Sequence, residues 1–245
     1  MLPGDNTLYL SMSNNELTVS VASNSEALAL ARSAFSNQCR VPIRFSVSSS
    51  SSVKDLMVLR NLACAFAAEG RLAEGNKHYG DAAKSDLDLI HFGNEAARGG
   101  RMVEGMIGIA IESMGTDGLE RIAQKLDAKS SREAATNLEL LDSQRQTWQD
   151  ILDQEKNWVR NVFGLRGALW GFYMDLTSDP AGKKHAKQTF NEKVQRTRQS
   201  LIDLATHAYE LDKGKPPTSI ADLVPTYLKD VPKDPTTGKD MTCPP

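Results

Sequence analysis

Three polar residues in the middle of the chain have the types and spacing of a catalytic or metal-binding site. Asp88, His91 and Glu95 are three and four positions apart, which places them on one face of a helix. Such a face could present a histidine base oriented by a carboxylate, or part of a metal's ligand set. The second histidine of the HExxH motif is missing. The pattern therefore supports a metal-dependent hydrolase as an alternative function, against the simpler interpretation of a solvated charged face.

No other stretch of the sequence carries an enzyme motif. The nucleophile elbow GxSxG, the phosphate-binding loop, the dinucleotide-binding GxGxxG motif followed by an acidic residue, and CxxC are all missing. Cys39, Cys64 and Cys243 are too widely spaced for a structural zinc site, and a Cys39–Cys243 disulfide stays open for an oxidising compartment. We therefore favour a protein without enzymatic activity that binds a protein or peptide partner.

The element that must position His91 is a predicted helical hairpin over residues 56–83, whose second helix continues to Ala97. Leucines and Phe66 recur at helical spacing in the first half of the hairpin. Gly70 follows a run of alanines, and a glycine in that position commonly ends a helix. We therefore expect the turn of the hairpin at Gly70.

The hairpin is also similar to a known repeat unit. The order of small and aromatic residues from Leu62 to Ala82 matches one tetratricopeptide-type helix–turn–helix repeat. A regular solenoid is not expected, because a continuous core takes about three repeats and only one is evident. If the protein binds a peptide or a helix, we expect it in the groove beside Phe66, Tyr79 and His91.

The wider pattern predicts a mainly α protein. We expect an irregular helical bundle built on the tetratricopeptide-like hairpin, with a short Pro/Gly-rich C-terminal tail and at most a minor β element. The 245 residues divide into an N-terminal segment with one helix and a Ser-rich linker (1–52), a helical body (53–212) and the tail (213–245).

Local signals in the N-terminal segment predict its elements. Residues 1–23 are ambiguous: alternating apolar residues over 17–21 indicate a strand, and a helix over residues 7–12 is equally possible. Asn24 fits the N-cap of a helix that runs to about Phe35. Residues 39–45 are expected to be extended, because they precede or contain a proline, and the serines of 46–52 to form a flexible connection.

Glycines inside predicted helices indicate close helix packing in the body. Gly105 and Gly108 lie within a predicted helical stretch over 102–126, where each glycine costs about 1 kcal/mol relative to alanine. Close approach of another helix is the expected reason. Further signals are a capping box at Ser130-x-x-Glu133, a last long helix over 185–212 that stops at Gly214, and a second capping box at Ser219-x-x-Asp222.

The composition limits the kinds of partner. The formal net charge is -2 and aromatic residues make up 6% of the chain, which argues against a general binder of nucleic acid or anionic membranes. A basic group at 183–198 could bind an acidic partner, although such groups are commonly the solvated side of a helix; its members are Lys183, Lys184, His185, Lys187, Lys193, Arg196 and Arg198. The most apolar window contains Glu104 and Glu112, so no membrane span is predicted in this chain, and an anchor upstream of it is compatible with the sequence.

The tail carries the most recognisable pattern. Its turn residues are Gly214, Pro216-Pro217, Leu223-Val224-Pro225, Val231-Pro232, Asp234-Pro235 and Gly238-Lys239. Over about residues 204–241 this pattern resembles the C-terminal segment of type II secretion major pseudopilins. The resemblance implies a calcium ion held by Asp230, Asp234 and Asp240, and no other cofactor is expected. It does not imply filament assembly, because the prepilin cleavage start and the apolar N-terminal helix are missing.

A wider resemblance covers most of the chain. It is carried, in the same order as the tail, by Cys39-Arg40-x-Pro42, Leu59-Arg60-x-Leu62-Ala63 and Gly108-Ile109-Ala110-Ile111-Glu112. These elements are similar to those of an uncharacterised bacterial family of helical, often membrane-anchored proteins. The resemblance implies a protein of the bacterial cell envelope, extracytoplasmic or membrane-anchored, with a cytoplasmic location as the alternative.

Overall fold

The computed structural model describes residues 8–37, 39–40, 50–177 and 180–243 of the chain. These residues are mainly α-helical and form no β-sheet, which confirms the prediction of a mainly α protein. The helices are α1 (Leu8–Ser11), α2 (Asn14–Ala34), α3 (Ser50–Gly75), α4 (Tyr79–Ala97), α5 (Met102–Ile122), α6 (Ala128–Ser143), α7 (Trp148–Thr177) and α8 (Pro180–Lys213). Short 3-10 turns follow α5 at Ala123–Lys125 and α8 at Ile220–Leu223. An isolated bridge between Lys233 and Asp240 is the β structure of the described tail.

The centre of the fold is α4, which packs against α3, α5 and α6 and is buried along most of its length. Neighbouring helices pair as antiparallel hairpins, α3 with α4 and α4 with α5. One face of α4 contributes Leu87 and Ile90 to a hydrophobic cluster with α5, α6, α8 and the tail. Its other face contributes Leu89 and Phe92 to a second cluster with α2 and α3. Helix α4 therefore separates two cores.

The predicted hairpin is present, but the prediction that Gly70 forms its turn is wrong. Helix α3 continues through Gly70, and the chain turns at 76–78, where Lys77 adopts a positive φ of 62°. A Cβ atom at Gly70 would lie 2.9 Å from Oδ1 of Asp86 on α4. The glycine is therefore explained by the close approach of the two helices and not by the end of a helix.

The closest contact between helices is the crossing of α4 and α5. A Cβ atom at Gly108 would lie 2.5 Å from the carbonyl oxygen of Gly93, and one at Gly93 would lie 2.7 Å from the carbonyl oxygen of Gly108. At Gly105 the side chain of Ile151 from α7 fills the corresponding space. The close helix packing predicted from Gly105 and Gly108 is therefore confirmed.

The N-terminal segment is more helical than predicted. Residues 17–21 and Asn24 all lie inside α2, so the predicted strand and the predicted N-cap are both wrong. The helix begins at a capping box in which Ser13 accepts from the backbone of Glu16, and the Glu16 carboxylate accepts from the Ser13 N–H at 2.7 Å. The reciprocal hydrogen bonds start the helix earlier than the sequence pattern indicated. Most of the predicted extended segment and Ser-rich linker (41–49) lies outside the described residues. Residues 50–52 of the predicted linker are helical and begin α3, so the linker prediction is wrong for them.

Of the three helix caps predicted in the second half of the chain, one is wrong and two are confirmed. The predicted capping box at Ser130 is wrong, because Asp127 is the N-cap of α6 and accepts from the Ser130 N–H at 2.7 Å. The end of α8 at Gly214, which has a φ of 68°, and the capping box of Ser219 and Asp222 are confirmed.

None of the described helices combines the length and the apolarity that crossing a membrane requires.

Candidate functional site

An open cleft of about 670 Å³ lies between the end of α2, the outer face of α4 and α6. Asp88, His91 and Glu95 all line it, on the wall that α4 provides. Phe35 from the end of α2 and Leu140 from α6 line the other sides. The spacing of the three polar residues therefore brings them to one concave surface, as a shared helical face predicts.

Asp88 is engaged by an arginine of α2. Its Oδ2 accepts a hydrogen bond from Nε of Arg32 at 2.6 Å, and the same guanidinium pairs with Glu69 of α3. Burial raises the pKa of the Asp88 carboxyl, and Arg32 opposes that shift. The pairs that Arg32 makes hold α2 against α3 and α4, so Asp88 supports the architecture of the cleft.

His91 packs as an aromatic ring at the floor of the cleft. It stacks on Phe35 with ring centroids 4.3 Å apart, and its Nε2 is 3.9 Å from Oε1 of Glu95, too far for a hydrogen bond. Burial lowers the pKa of His91, while the nearby carboxylates of Glu95 and Asp88 oppose the shift. The ring is therefore neutral at neutral pH, and no carboxylate fixes its tautomer through a direct hydrogen bond.

Glu95 is occupied by other groups of the chain. Its Oε1 accepts from Nη2 and Nε of Arg98 at 2.6 and 3.0 Å, and its Oε2 accepts from the backbone N–H of Cys39 at 2.9 Å. The carboxylate thus connects α4 to the chain that follows α2. Asp88, His91 and Glu95 consequently form no hydrogen-bonded base and orienting acid of the kind that catalysis requires.

No group of three or more His, Cys, Asp and Glu side chains within the described ranges is arranged to hold a metal ion. Both sets considered from the sequence fall in those ranges. In the tail, Oδ1 of Asp234 accepts from the backbone N–H groups of Thr236 at 2.9 Å and Thr237 at 2.6 Å. This Asx-type turn accounts for the carboxylate of Asp234 without an ion.

The predicted groove beside Phe66, Tyr79 and His91 is not one surface. Phe66 is fully buried, with its ring 6.1 Å from that of Phe35 and the guanidinium of Arg32 over its face. Tyr79 begins α4, where Lys125 lies 5.5 Å from its ring centroid. His91 is twelve positions along the same helix, about 18 Å away at the rise of an α-helix. Of the three, His91 alone lines the cleft.

The opposite wall of the cleft was not identified from the sequence. It is formed by Asn137 and Leu140 of α6 and by Gln144, the C-cap of that helix, all three of which are exposed. Leu140 is 53% exposed. No side-chain hydrogen bond from either amide is found in the described part of the chain. The sequence indicated this wall only through Leu140, a leucine on the polar face of an amphipathic helix. A single exposed apolar residue is common on protein surfaces and does not by itself predict a binding site.

A buried chain of ion pairs follows directly after this wall. Arg145, whose side chain is 6% exposed, pairs with Glu112 of α5 and, at 3.2 Å, with Asp142 of α6. Asp142 also accepts from Nε of Arg198 at 2.8 Å, and Arg198 donates to the carbonyl oxygen of Lys233 at 2.5 Å. These contacts fix α6, α8 and the tail relative to α5, and so give the cleft a rigid wall.

The molecule is thus a mainly α protein with an open, mixed polar and apolar cleft on its central helix. No protein-family model, curated protein or solved structure that we compared with the chain matches it. The resemblances seen in the tail and over residues 39–112 therefore stay predictions, and the function has to be argued from the cleft.

Proposed function

We propose that the protein has no enzymatic activity and binds an extended peptide segment of a partner protein in the cleft between α4 and α6. The observation that carries the proposal is the wall of the cleft on α6. It presents an exposed leucine, Leu140, between two amides, Asn137 and Gln144, whose side chains have no hydrogen-bond partner in the described residues.

This combination matches the chemistry of a peptide. An amide side chain both donates and accepts, so it can pair with the N–H and C=O groups of an extended backbone. Leu140 and Leu87, which both line the cleft, offer apolar contacts for a side chain of the same segment. A volume of about 670 Å³ is within the range of ligand-binding clefts.

The charged groups of the cleft support binding more than catalysis. Asp88 forms an ion pair with Arg32, and Glu95 forms one with Arg98, so the charge of each carboxylate is balanced by an arginine of the same chain. His91 makes no hydrogen bond to either carboxylate. A metal-dependent hydrolase would need a ligand set or an oriented base, and neither is present among the described residues. We therefore rank the hydrolase below peptide binding.

The location of the protein is part of the same proposal. The resemblance of residues 39–112 and of the tail to proteins of the bacterial cell envelope supports an envelope partner. We propose an extracytoplasmic or membrane-anchored location on that ground, and a cytoplasmic location is the alternative.

Selection from a random peptide library tests the binding function. The purified protein is used to select peptides, and the affinity of each selected peptide is measured by calorimetry. We expect Leu140→Lys to weaken binding by about tenfold or more, as the loss of an apolar contact at the centre of a small interface does. The matched control is Leu211→Lys, because Leu211 is 51% exposed on α8 and does not line the cleft.

Asn137→Ala provides an independent variant. It should weaken the same peptides without changing the melting temperature, since Asn137 is exposed and its side chain makes no hydrogen bond in the described structure. Peptides that bind Leu140→Lys and Asn137→Ala as tightly as the wild type would show that the cleft is not the binding site. Failure to select any peptide would reject the proposed function.

A further inference from the structure

Three cationic side chains converge on a single carboxylate where the last turn of α3 meets the end of α5. Oε2 of Glu74 accepts a hydrogen bond from Nη1 of Arg71 at 2.6 Å and from Nε of Arg121 at 3.3 Å. Its Oε1 accepts from Nζ of Lys125 at 3.2 Å. We call Arg71, Arg121 and Lys125 the basic cluster. None of these residues lines the cleft, so the proposed function leaves the cluster without a role.

The carboxylate is more deeply buried than the three cations around it. The side chain of Glu74 is 12% exposed, whereas those of Arg71, Arg121 and Lys125 are 28%, 33% and 45% exposed. Burial alone would raise the pKa of Glu74, but hydrogen bonds from the basic cluster lower it, so the carboxylate is ionised at neutral pH. Three positive charges around one negative charge leave a local excess of +2, carried by the more exposed groups.

The basic cluster also has donors that Glu74 does not use. Nε of Arg71 is buried and has no hydrogen-bond partner among the described residues. Buried donors in native proteins are nearly always paired, so this one indicates a partner that the chain itself does not supply. An arginine has five N–H donors and a lysine three, and the bonds to Glu74 use one from each side chain. An anion rich in oxygen can accept from the remaining donors.

The charges beyond the basic cluster limit the kind of anion. On the α8 side, Asp117 and Glu120 of α5 both pair with Arg196, so two carboxylates face one guanidinium there. Burial raises the pKa of Asp86 on α4 well above its usual range, which reduces the negative charge near Arg121. An extended polyanion, such as nucleic acid or an anionic bilayer, would meet the carboxylates of α5. The surroundings therefore favour a small anion.

We propose that the basic cluster binds the phosphate monoester of a small molecule. Such a group carries a charge of about −1.5 to −2 at pH 7 and presents three acceptor oxygens, which matches a local excess of +2 on three cations. A guanidinium binds phosphate through a planar set of N–H donors, and a lysine ammonium adds a point charge. A carboxylate carries a single charge and two oxygens, so it fits the same cluster less well.

Calorimetric titration of the full chain tests this site. Inorganic phosphate and glycerol 3-phosphate are the probes, and acetate is titrated at the same ionic strength. We expect phosphate to bind one site with a dissociation constant of about 1 mM or tighter, and acetate to bind about tenfold more weakly. Glycerol 3-phosphate should bind at least as tightly as inorganic phosphate, and added sodium chloride should weaken both.

Two variants should change the affinity for phosphate in opposite directions. Lys125→Gln removes a charged donor and should weaken binding by about tenfold. Glu74→Gln removes the like charge that competes with the ligand and should strengthen binding by about tenfold. Urea unfolding of each variant separates lost stability from altered binding, and Lys125→Gln decides the question alone if Glu74→Gln does not fold.

Lys156→Gln is the matched control. Lys156 is also an exposed lysine that pairs with one carboxylate, that of Asp153. It lies on α7, which contacts α5 at Gly105, sixteen positions and about 24 Å along α5 from Arg121. The variant loses the same charge as Lys125→Gln, and it should bind phosphate like the wild type.

The outcomes decide between a phosphate site and a purely structural group of ion pairs. The proposal is overturned if phosphate does not bind, if acetate binds as tightly, or if Lys125→Gln binds phosphate like the wild type. It is also overturned if Lys156→Gln weakens binding as much as Lys125→Gln, or if the protein binds only vesicles that contain phosphatidic acid and neither soluble phosphate. Failure of peptide binding would not affect these results, because the basic cluster and the cleft share no residue.

Discussion

The crossing of α4 and α5 gives the most sensitive test of the packing. Replacing Gly108 with alanine adds a methyl group that would lie 2.5 Å from the carbonyl oxygen of Gly93 and 2.6 Å from Cβ of Ala97. Neither neighbour can rotate away, because one is backbone and the other is fixed to it. The two helices must therefore separate by about 1 Å at the crossing to reach ordinary van der Waals contact.

Two opposing effects set the size of the expected change. Alanine in place of glycine favours the helical conformation of α5 by about 1 kcal/mol. Overpacking against backbone costs typically 1–3 kcal/mol and more where the contact cannot relax. Because the contact at Gly108 is backbone, we expect the steric cost to win and the free energy of unfolding to fall by about 2 kcal/mol. For a chain of this size that lowers the melting temperature by roughly 4–8 °C.

Gly105→Ala is the matched control, because it gains the same helix propensity in the same helix. The added methyl group would meet the end of the Ile151 side chain at 2.8 Å, and that group can move. Urea unfolding followed by circular dichroism should give a stability within about 1 kcal/mol of the wild type for Gly105→Ala. The reasoning is refuted if Gly108→Ala is as stable as Gly105→Ala or more stable than the wild type.

Three other changes test the cleft, the buried ion pairs and the tail. Burial lowers the pKa of His91 in the folded protein, so as the pH falls below about 6.5 the imidazole is protonated in the unfolded chain before it is in the folded one. The free energy of unfolding therefore falls as the pH falls over that range. The urea midpoint of His91→Gln, which has no imidazole, should depend less on pH there than that of the wild type. Arg145→Met leaves the carboxylate of Glu112 buried without its partner and should lower the free energy of unfolding, measured in urea, by about 3–5 kcal/mol; a variant as stable as the wild type would contradict this. Asp234→Ala removes the acceptor of the Thr237 N–H and should lower the melting temperature equally in EDTA and in calcium; a calcium-dependent melt lost in this variant would contradict that account.

The parts of the fold that follow from short-range signals were predictable. The mainly α class and the hairpin follow from helical spacing, and the end of α8 follows from a glycine that has to adopt positive φ. Gly108 was also interpretable, because a glycine inside a helix is costly and needs a reason. Each of these features is determined by a residue and its immediate neighbours in the chain, so it can be read from a short stretch of sequence.

The errors have a different origin, which is contact between residues far apart in sequence. Gly70 was assigned to a turn because nothing near it in the chain indicates Asp86, whose carboxyl group occupies the space beside it. Phe66 was assigned to a partner surface because a periodic pattern shows which residues share a face, not what covers that face. The wall formed by Asn137 and Leu140 lies more than forty positions beyond His91, and no pattern in the sequence pairs α4 with α6. The capping box of Ser13 is an exception, because it could have been found locally.

The two hydrophobic clusters on opposite faces of α4 have a consequence for the order in which the protein opens. Amide hydrogen exchange should proceed in two cooperative units, α2 with α3 on one side and α6, α8 and the tail on the other, with α4 exchanging last. The cleft lies where the units meet, since Phe35 packs against one cluster while Leu87 and Leu141 belong to the other. A ligand that contacts both sides would tie the units together, and its binding would slow exchange in helices that it never touches.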